Sequence, residues 1–158
     1  MSKVASVVFS NFGQSEVHGY VMFSQSTPSD AVRIRGEVFN LSPDGAHGFH
    51  VHESGDLRSG CTSAKGHFNP YGAVHGAPTD AERHVGDLGN IFAEGGTARF
   101  DYVDLKISLF EGSNNIIGRS VVVHQGRDDL GRGLDAGSKI HGNAGPRLAC
   151  GVIGIVAP

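Results

Sequence analysis

The segment Gly48-Phe49-His50-Val51-His52 sets the pattern for the chain, because its side chains alternate as an extended strand requires. Consecutive side chains of a strand point to opposite faces, so His50 and His52 share one face and Phe49 and Val51 take the other. Two imidazoles about 7 Å apart on one strand form a ready pair of metal ligands. The segment therefore predicts a strand with metal-binding chemistry on one face and core packing on the other.

The same two-residue alternation recurs along the chain, and no segment longer than one turn has the period of an amphipathic helix. The predicted strands are Lys3–Ser10, Val17–Gln25, Ala31–Asn40, Gly48–Glu53, Gly86–Ala93, Ala98–Asp104, Ile116–His124 and Leu148–Val156. Eight short strands in a chain with 24 glycines predict an all-β sandwich or barrel. The length of 158 residues predicts one domain, 1–158.

Composition and charge argue against several classes of partner. A formal net charge of −3 without a clustered basic run argues against a nucleic-acid partner. No apolar run is long enough to span a membrane. The N-terminal residues Met1–Ala5 have no signal-peptide features, and we therefore expect a cytoplasmic location.

Two long segments interrupt the strands, and both are rich in glycine and poor in strand signal. They are Ser54–Val85, the first long loop, and Gln125–Arg147, the second long loop. Loops of this length in a compact domain are uncommon unless they are functional. The two cysteines, Cys61 in the first long loop and Cys150 near the C-terminus, allow one disulfide, although the compartment alone favours free thiols.

A single histidine is seldom a metal ligand, but seven candidate ligands are clustered here. They are His50, His52, His67, His75, His84, Asp87 and His124. Zinc prefers four tetrahedral N, S or O ligands, whereas Cu(II) suits imidazoles in a tetragonal arrangement. Seven ligands can serve two four-coordinate ions only if one is shared, and an imidazolate can bridge because each ring nitrogen has a lone pair.

Seven motifs spread over the whole chain carry a family resemblance. They are Gly48–Glu53, Gly60-Cys61, Gly66–Pro70, Arg83–Asn90, Ile117–Arg119, Gly142–Gly145 and Arg147–Gly154. In these motifs the chain resembles the copper–zinc superoxide dismutases. The resemblance implies an eight-stranded antiparallel Greek-key β-barrel, a flattened sandwich with two long functional loops. It also implies that copper, cycling between Cu(II) and Cu(I), converts superoxide to oxygen and hydrogen peroxide.

The resemblance also implies a role for each candidate residue. Copper would be held by His50, His52, His67 and His124, and zinc by His67, His75, His84 and Asp87. His67 would bridge the metals and supply a proton, and Arg147 would guide the superoxide anion, which makes these two the catalytic residues. Asp128 would join His50 to His75, and Cys61 would be disulfide-bonded to Cys150.

The expected partners are superoxide as the substrate, a second copy of the chain in a homodimer, and a copper chaperone that loads the metal. The dimer contact would involve segments 4–7, 116–118 and 152–154. Ser54 replaces an aromatic residue that many family members place in that contact, so we expect a dimer of reduced strength.

The second long loop departs from the family in its charges. Ala136, Gly137 and Ile140 stand where many members carry two acids and a lysine, and His141 stands where many have a threonine lining the copper channel. The loop still has four Lys or Arg and three Asp, a balance of +1. An imidazole in the channel would add positive charge only on the acid side of neutrality.

Three rival functions remain open at this stage: the dismutase-like domain of a copper chaperone, a zinc-only binding module and a metal buffer. The first two typically lose copper ligands or the guiding arginine, and all of these are present here. Buffering uses the same ligands as catalysis, so only dismutase activity with and without added copper separates the two.

Overall fold

A computed structural model describes residues 1–157 as an almost closed antiparallel β-barrel; Pro158, the last residue of the predicted domain, lies outside the described residues. The strands are β1 (Lys3–Phe9), β2 (His18–Gln25), β3 (Val32–Phe39), β4 (Gly45–His52), β5 (Arg58–Cys61), β6 (Asp87–Glu94), β7 (Thr97–Asp104), β8 (Ser120–His124), β9 (Arg147–Val152) and β10 (Gly154–Val156). The prediction of an all-β fold is confirmed.

Nine strands form one sheet in the order β10-β1-β2-β3-β7-β6-β4-β8-β9. Strand β3 pairs with β7, and β4 lies between β6 and β8, so two connections cross the end of the barrel as a Greek key requires. The predicted strand Leu148–Val156 is divided at Ile153 into β9 and β10. Since β9 pairs with β8 and β10 pairs with β1, this divided segment closes the barrel.

Two other strand boundaries differ from the prediction by three residues or more. Strand β4 begins at Gly45, because residues 45–48 already pair with β6. Strand β8 begins only at Ser120, since the chain turns at Gly118, which has a φ of 83°. Outside the strands, residues 1–157 contain two short 3-10 helices, at 62–64 and 136–139, and neither has the length to cross a bilayer.

The core consists mainly of the side chains that point inward, at every second position of the strands. In β3, Val32, Ile34 and Val38 are fully buried, whereas Arg33 and Arg35 face solvent, as the alternation predicts. Phe49 packs against Phe9 and Phe100, with ring centroids 6.4 and 5.2 Å away. Burying side chains of this size stabilises the fold by about 1.5–3 kcal/mol each. The core thereby fixes β4, the strand that carries His50 and His52.

Backbone hydrogen bonds hold the first long loop against β4. The N–H of Phe68 donates to the carbonyl of Val51 at 2.9 Å, and the N–H of Val51 donates to Gly86 at 3.0 Å. Gly86 is required here, because a Cβ at this position would overlap the carbonyl oxygen of Val51. The loop therefore returns alongside β4 and brings His67 next to His52, with which it forms an isolated antiparallel β-bridge.

A buried ion pair fixes the end of the first long loop. The Arg83 guanidinium donates to both carboxylate oxygens of Asp104, at 2.7 and 3.2 Å. It also donates to the carbonyls of Pro78, His84 and Val85. All five N–H groups of Arg83 are used, so the charge is buried without an unpaired donor.

The disulfide between Cys61 and Cys150 is present and ties the first long loop to β9. The free-thiol alternative is therefore wrong. Closing a loop with a sequence separation of 89 residues stabilises the fold by about 4–5 kcal/mol in the chain-entropy model.

Candidate metal centre

The first donor group consists of His50, His52, His67 and His124. One ring nitrogen from each lies within 4.8 Å of the others. Two of the residues come from β4, one from the end of β8, and His67 from the first long loop. Because β4 pairs with β8, with Phe49 opposite Val123, the barrel itself brings His124 to the β4 histidines.

In this group, hydrogen bonds to the backbone occupy one nitrogen of His52 and one of His124. His52 donates from Nδ1 to the carbonyl of Lys65 at 2.7 Å, and His124 donates from Nδ1 to the carbonyl of Gly145 at 3.0 Å. Each bond fixes the ring orientation and the tautomer, and leaves the lone pair of Nε2 free. The two Nε2 atoms lie 3.4 Å apart.

The other two members present buried nitrogens without any partner. His50 uses Nε2 to donate to Asp128 at 2.7 Å, and its Nδ1 has no hydrogen-bond partner. The Nε2 of His67 is likewise unpartnered. Buried polar atoms of this kind are costly and rare, so these nitrogens require a ligand that the protein itself does not supply.

The second donor group consists of His67, His75, His84 and Asp87, and it shares His67 with the first. The Asp87 Oδ1 atom lies 3.0, 2.8 and 3.1 Å from the Nδ1 atoms of the three histidines in that order. Its Oδ2 accepts hydrogen bonds from the backbone of Gly76 and His84, at 2.9 and 2.8 Å. The carboxylate is thereby fixed with one oxygen directed at the three imidazoles.

The Asp128 carboxylate connects the two donor groups. Its Oδ2 accepts from His50 Nε2 and its Oδ1 from His75 Nε2, both at 2.7 Å. Asn90 in turn holds Asp128, because it accepts from the Asp128 N–H at 2.8 Å and donates to its carbonyl at 3.0 Å. Sequence reasoning included Asn90 in a motif without giving it a role.

Electrostatics separate the two groups. Burial lowers the pKa values of His50, His52 and His67, and that of His124 to about 4, so these imidazoles are neutral at neutral pH. A neutral imidazole is the form that binds a metal.

At His75 and Asp87 of the second group, hydrogen bonds between imidazole and carboxylate outweigh burial. Burial disfavours the charged form of His75, but its hydrogen bonds with Asp128 and Asp87 raise its pKa to about 9. Burial likewise opposes ionisation of Asp87, yet the three histidines hold its pKa far below the usual range. This site concentrates negative charge, and a metal ion would replace the proton on His75.

These observations provide a test of fit for two metal ions. The first group offers four imidazole nitrogens, a donor set that suits copper, and the second offers three imidazoles and one carboxylate, a set that suits zinc. The two unpartnered nitrogens lie on His50 and on the shared His67. The residues therefore fit a copper and a zinc ion that share one imidazole.

A cavity of about 510 Å³ opens from the first donor group to solvent. Its wall includes Lys139, Ile140, His141 and Arg147, and none of the described residues that line it carries a carboxylate. His141 and Arg147 were both expected beside the copper channel, and both line this cavity. The permanent cation in this part of the loop is Lys139, one residue before the position where many members have a lysine.

Arg147 is placed by a shift in strand register and by the disulfide segment. The β8–β9 register shifts between Val123 and His124, which pairs His124 with Arg147. The guanidinium donates to the carbonyl of Cys61 at 2.7 Å. Burial lowers the pKa of Arg147 from a high starting value, so the group stays charged at neutral pH.

Comparison with known proteins agrees with this geometry. The family model described as copper/zinc superoxide dismutase matches residues 17–153. The chain belongs to the copper/zinc superoxide dismutases. A superoxide dismutase (Cu-Zn) of Cryptococcus neoformans var. grubii is 55% identical over 144 residues, which cover 90% of this chain and 93% of the relative. Superoxide dismutase (Cu-Zn) A of Xenopus laevis is 54% identical, with 90% and 92% covered, and that of Yarrowia lipolytica is 51% identical, with 92% and 94% covered.

Membership of the copper/zinc superoxide dismutases gives the activity, the substrate and the metals. The protein is an oxidoreductase that disproportionates superoxide, and copper and zinc are its cofactors.

The surroundings of Gly137 leave no room for the acidic side chain that many family members carry at this position. A Cβ on Gly137 would overlap the Asn143 side chain and lie 3.1 Å from His141, so an acid there would require both to move.

Gly142 provides a test of the link through Asp128. It has a φ of 71°, and a Cβ there would overlap Asp128 Oδ1 and lie 2.5 Å from His75 Nε2. Gly142→Ala should displace the carboxylate and weaken metal affinity about 10- to 100-fold, measured by competition with a chelator. Gly72→Ala is the control, because its φ of 64° carries the same strain with nothing within 4 Å. Equal metal affinities in the two variants would contradict the role given to Asp128.

Proposed function

We propose that the two donor groups hold the two metals of the family. The copper ligands are His50, His52, His67 and His124, and the zinc ligands are His67, His75, His84 and Asp87. The observation that carries this assignment is the pair of buried, unpartnered nitrogens on His50 and His67, which lie in the two overlapping donor groups.

Copper, when bound, supplies the one-electron chemistry, in which one superoxide is oxidised to oxygen and a second is reduced to hydrogen peroxide with two protons. The protein's own residues bind the anion and move protons. Arg147 offers a charged guanidinium at the cavity wall, which attracts superoxide and can donate hydrogen bonds to it. Its hydrogen bond to Cys61 keeps the group facing the same cavity.

His67 is proposed as the proton donor. Its Nε2 is buried beside the first donor group, and burial lowers the pKa of the ring, so a proton placed there is readily given up. Its Nδ1 lies 3.0 Å from the fixed carboxylate of Asp87. That contact keeps the ring in place while Nε2 gains and loses the proton.

The complete donor sets bear on the rival functions. Both sets and Arg147 are present, which favours a catalytic dismutase over a copper-chaperone domain or a zinc-only module. A metal buffer would hold the same ions without turnover, and membership of the copper/zinc superoxide dismutases favours the enzyme.

A homodimer is proposed from exposed apolar side chains on neighbouring strands. Val8, Val152 and Ile155 are 76%, 43% and 75% exposed. The N–H of Gly118 donates to the carbonyl of Ile153 at 2.9 Å, so segment 116–118 lies beside the residue between β9 and β10, which supports its expected part in the contact. Clustered apolar residues on a surface are typical of an interface, and a two-fold dimer would cover them with the same patch of the partner.

Loading by a copper chaperone and a cytoplasmic location stay predictions. The first donor group lies at the base of an open cavity, so copper could reach it in the folded protein. Cell fractionation and copper content in cells with and without a copper chaperone would test both predictions.

The metal assignment predicts separate effects for two histidines. His67→Ala should lose copper and zinc, whereas His124→Ala should lose copper-dependent activity and keep most of its zinc. The measurements are metal content by mass spectrometry and superoxide dismutation, with the exposed His18→Ala as the control. A His124→Ala protein with two zinc ions and full activity would refute the assignment.

The dimer predicts a sedimenting mass of 33 kDa, twice the 16.5 kDa of the chain. Ile155→Glu should place a charge in the patch and shift the protein toward monomer at micromolar concentration. Leu105→Glu is the matched control, since Leu105 is 85% exposed and follows β7, outside the patch. A wild-type monomer at that concentration would rule out the dimer.

The cavity charges predict an effect on the rate of substrate capture. Lys139→Gln removes a permanent cation from the wall and should lower kcat/KM about two- to threefold at low ionic strength, with a smaller effect in high salt. Lys106→Gln is the control, because that ammonium donates to the carbonyl of Ala81 and does not line the cavity. Pulse radiolysis at two salt concentrations gives both rates. Identical rates for the two variants would mean that Lys139 does not steer the anion.

A further inference from the structure

The turn between β1 and β2 holds an aromatic residue in a backbone conformation that rarely accepts one. Phe12 has a φ of 52°, and Gly13 after it has a φ of 76°. Positive φ at both central positions of a turn favours glycine, asparagine or aspartate, because a Cβ crowds the backbone there. A bulky side chain in this position costs free energy that a contact elsewhere must offset.

The side chain of Phe12 lies against Gly60, the residue before Cys61. Where a Cβ of Gly60 would stand, the three nearest atoms are Cγ, Cβ and Cδ2 of Phe12, at 3.8, 3.9 and 3.9 Å. Gly60 itself has a φ of 68°. A strained aromatic residue therefore packs on a bare stretch of backbone next to one half of the disulfide.

The same turn is bonded to the strand that carries the other half of the disulfide. Ser10 and Cys150 exchange two backbone hydrogen bonds, at 2.9 and 3.0 Å. The hydroxyl of Ser15 donates to the carbonyl of Leu148 at 2.8 Å. Residues 10–15 thus contact both segments that the disulfide joins, the Gly60-Cys61 segment and β9.

We propose that Phe12 is a positioning residue that clamps the Gly60-Cys61 segment to β9 and limits access to the disulfide. Cys61 and Cys150 are 4% and 0% exposed, so a reductant reaches a sulfur only after this segment opens. Because the Cys61 carbonyl also accepts a hydrogen bond from Arg147, the clamp also helps to hold Arg147 at the cavity wall. The inference about the disulfide does not depend on the metal assignment.

The reaction that the clamp restrains is exchange with a small dithiol. A thiolate of the dithiol attacks one cysteine sulfur, the protein S–S bond breaks, and the other cysteine leaves as a thiolate. The second thiol of the reductant then attacks the mixed disulfide, which releases the first cysteine and closes the oxidised dithiol. Two electrons pass from the dithiol to the protein, and the two cysteine thiolates take up protons from water.

The test is the rate at which dithiothreitol reduces the disulfide in the metal-loaded full-length protein, followed by alkylation and mass spectrometry. Phe12→Gly keeps the backbone conformation and removes the ring, and it should be reduced about fivefold faster. Phe12→Tyr retains the ring and should be reduced at the wild-type rate. Phe92→Gly removes an aromatic ring from β6, at a residue that is 67% exposed and far from the turn in sequence. This variant should also leave the rate unchanged.

The denaturant midpoint of each variant separates local opening from loss of global stability. The proposal expects faster reduction of Phe12→Gly with an unchanged midpoint, because glycine relieves the strain at this φ. It is overturned if Phe12→Gly is reduced at the wild-type rate, or if its faster reduction matches a fall in the midpoint.

Discussion

One buried carboxylate, that of Asp128, joins the two donor groups of this protein. It accepts a hydrogen bond from His50 in one group and from His75 in the other, both at 2.7 Å. Its own position depends on Asn90 in β6 and on the bare Cα of Gly142. These residues come from the barrel and from both long loops, so the centre can be correct only when all three are folded.

The strands could be predicted from the sequence where one face is exposed to solvent and the other is buried. In β3 the alternation of arginines with Val32 and Ile34 gives both the strand and its inward face. The start of β4 and the division at Ile153 could not be predicted, because they depend on pairing with β6 and β1, which no local pattern encodes. Pairing partners far away in sequence override local preference.

For the candidate site, the sequence offered a set of donors and the resemblance divided it. The spacing of seven ligands does not tell which side of His67 each one takes. That division depends on where the fold brings each donor, as when the pairing of β4 with β8 puts His124 beside the β4 histidines. The roles of Asn90 and Lys65 stayed hidden because a backbone carbonyl or a bridging amide leaves no signature of its own. Lys139, by contrast, was visible as a charge, but only the loop's folded path showed that it reaches the cavity.

The way the barrel closes has a consequence for how the chain is made. Val4 in β1 pairs with Val156 in β10, so the first and last strands are neighbours, and contacts between distant residues dominate the sheet. High contact order of this kind slows folding. While the chain emerges from a ribosome, one edge of β1 has no partner until β10 has been released. An unpaired edge can pair with another chain, so the growing chain is exposed to aggregation until β10 pairs with β1.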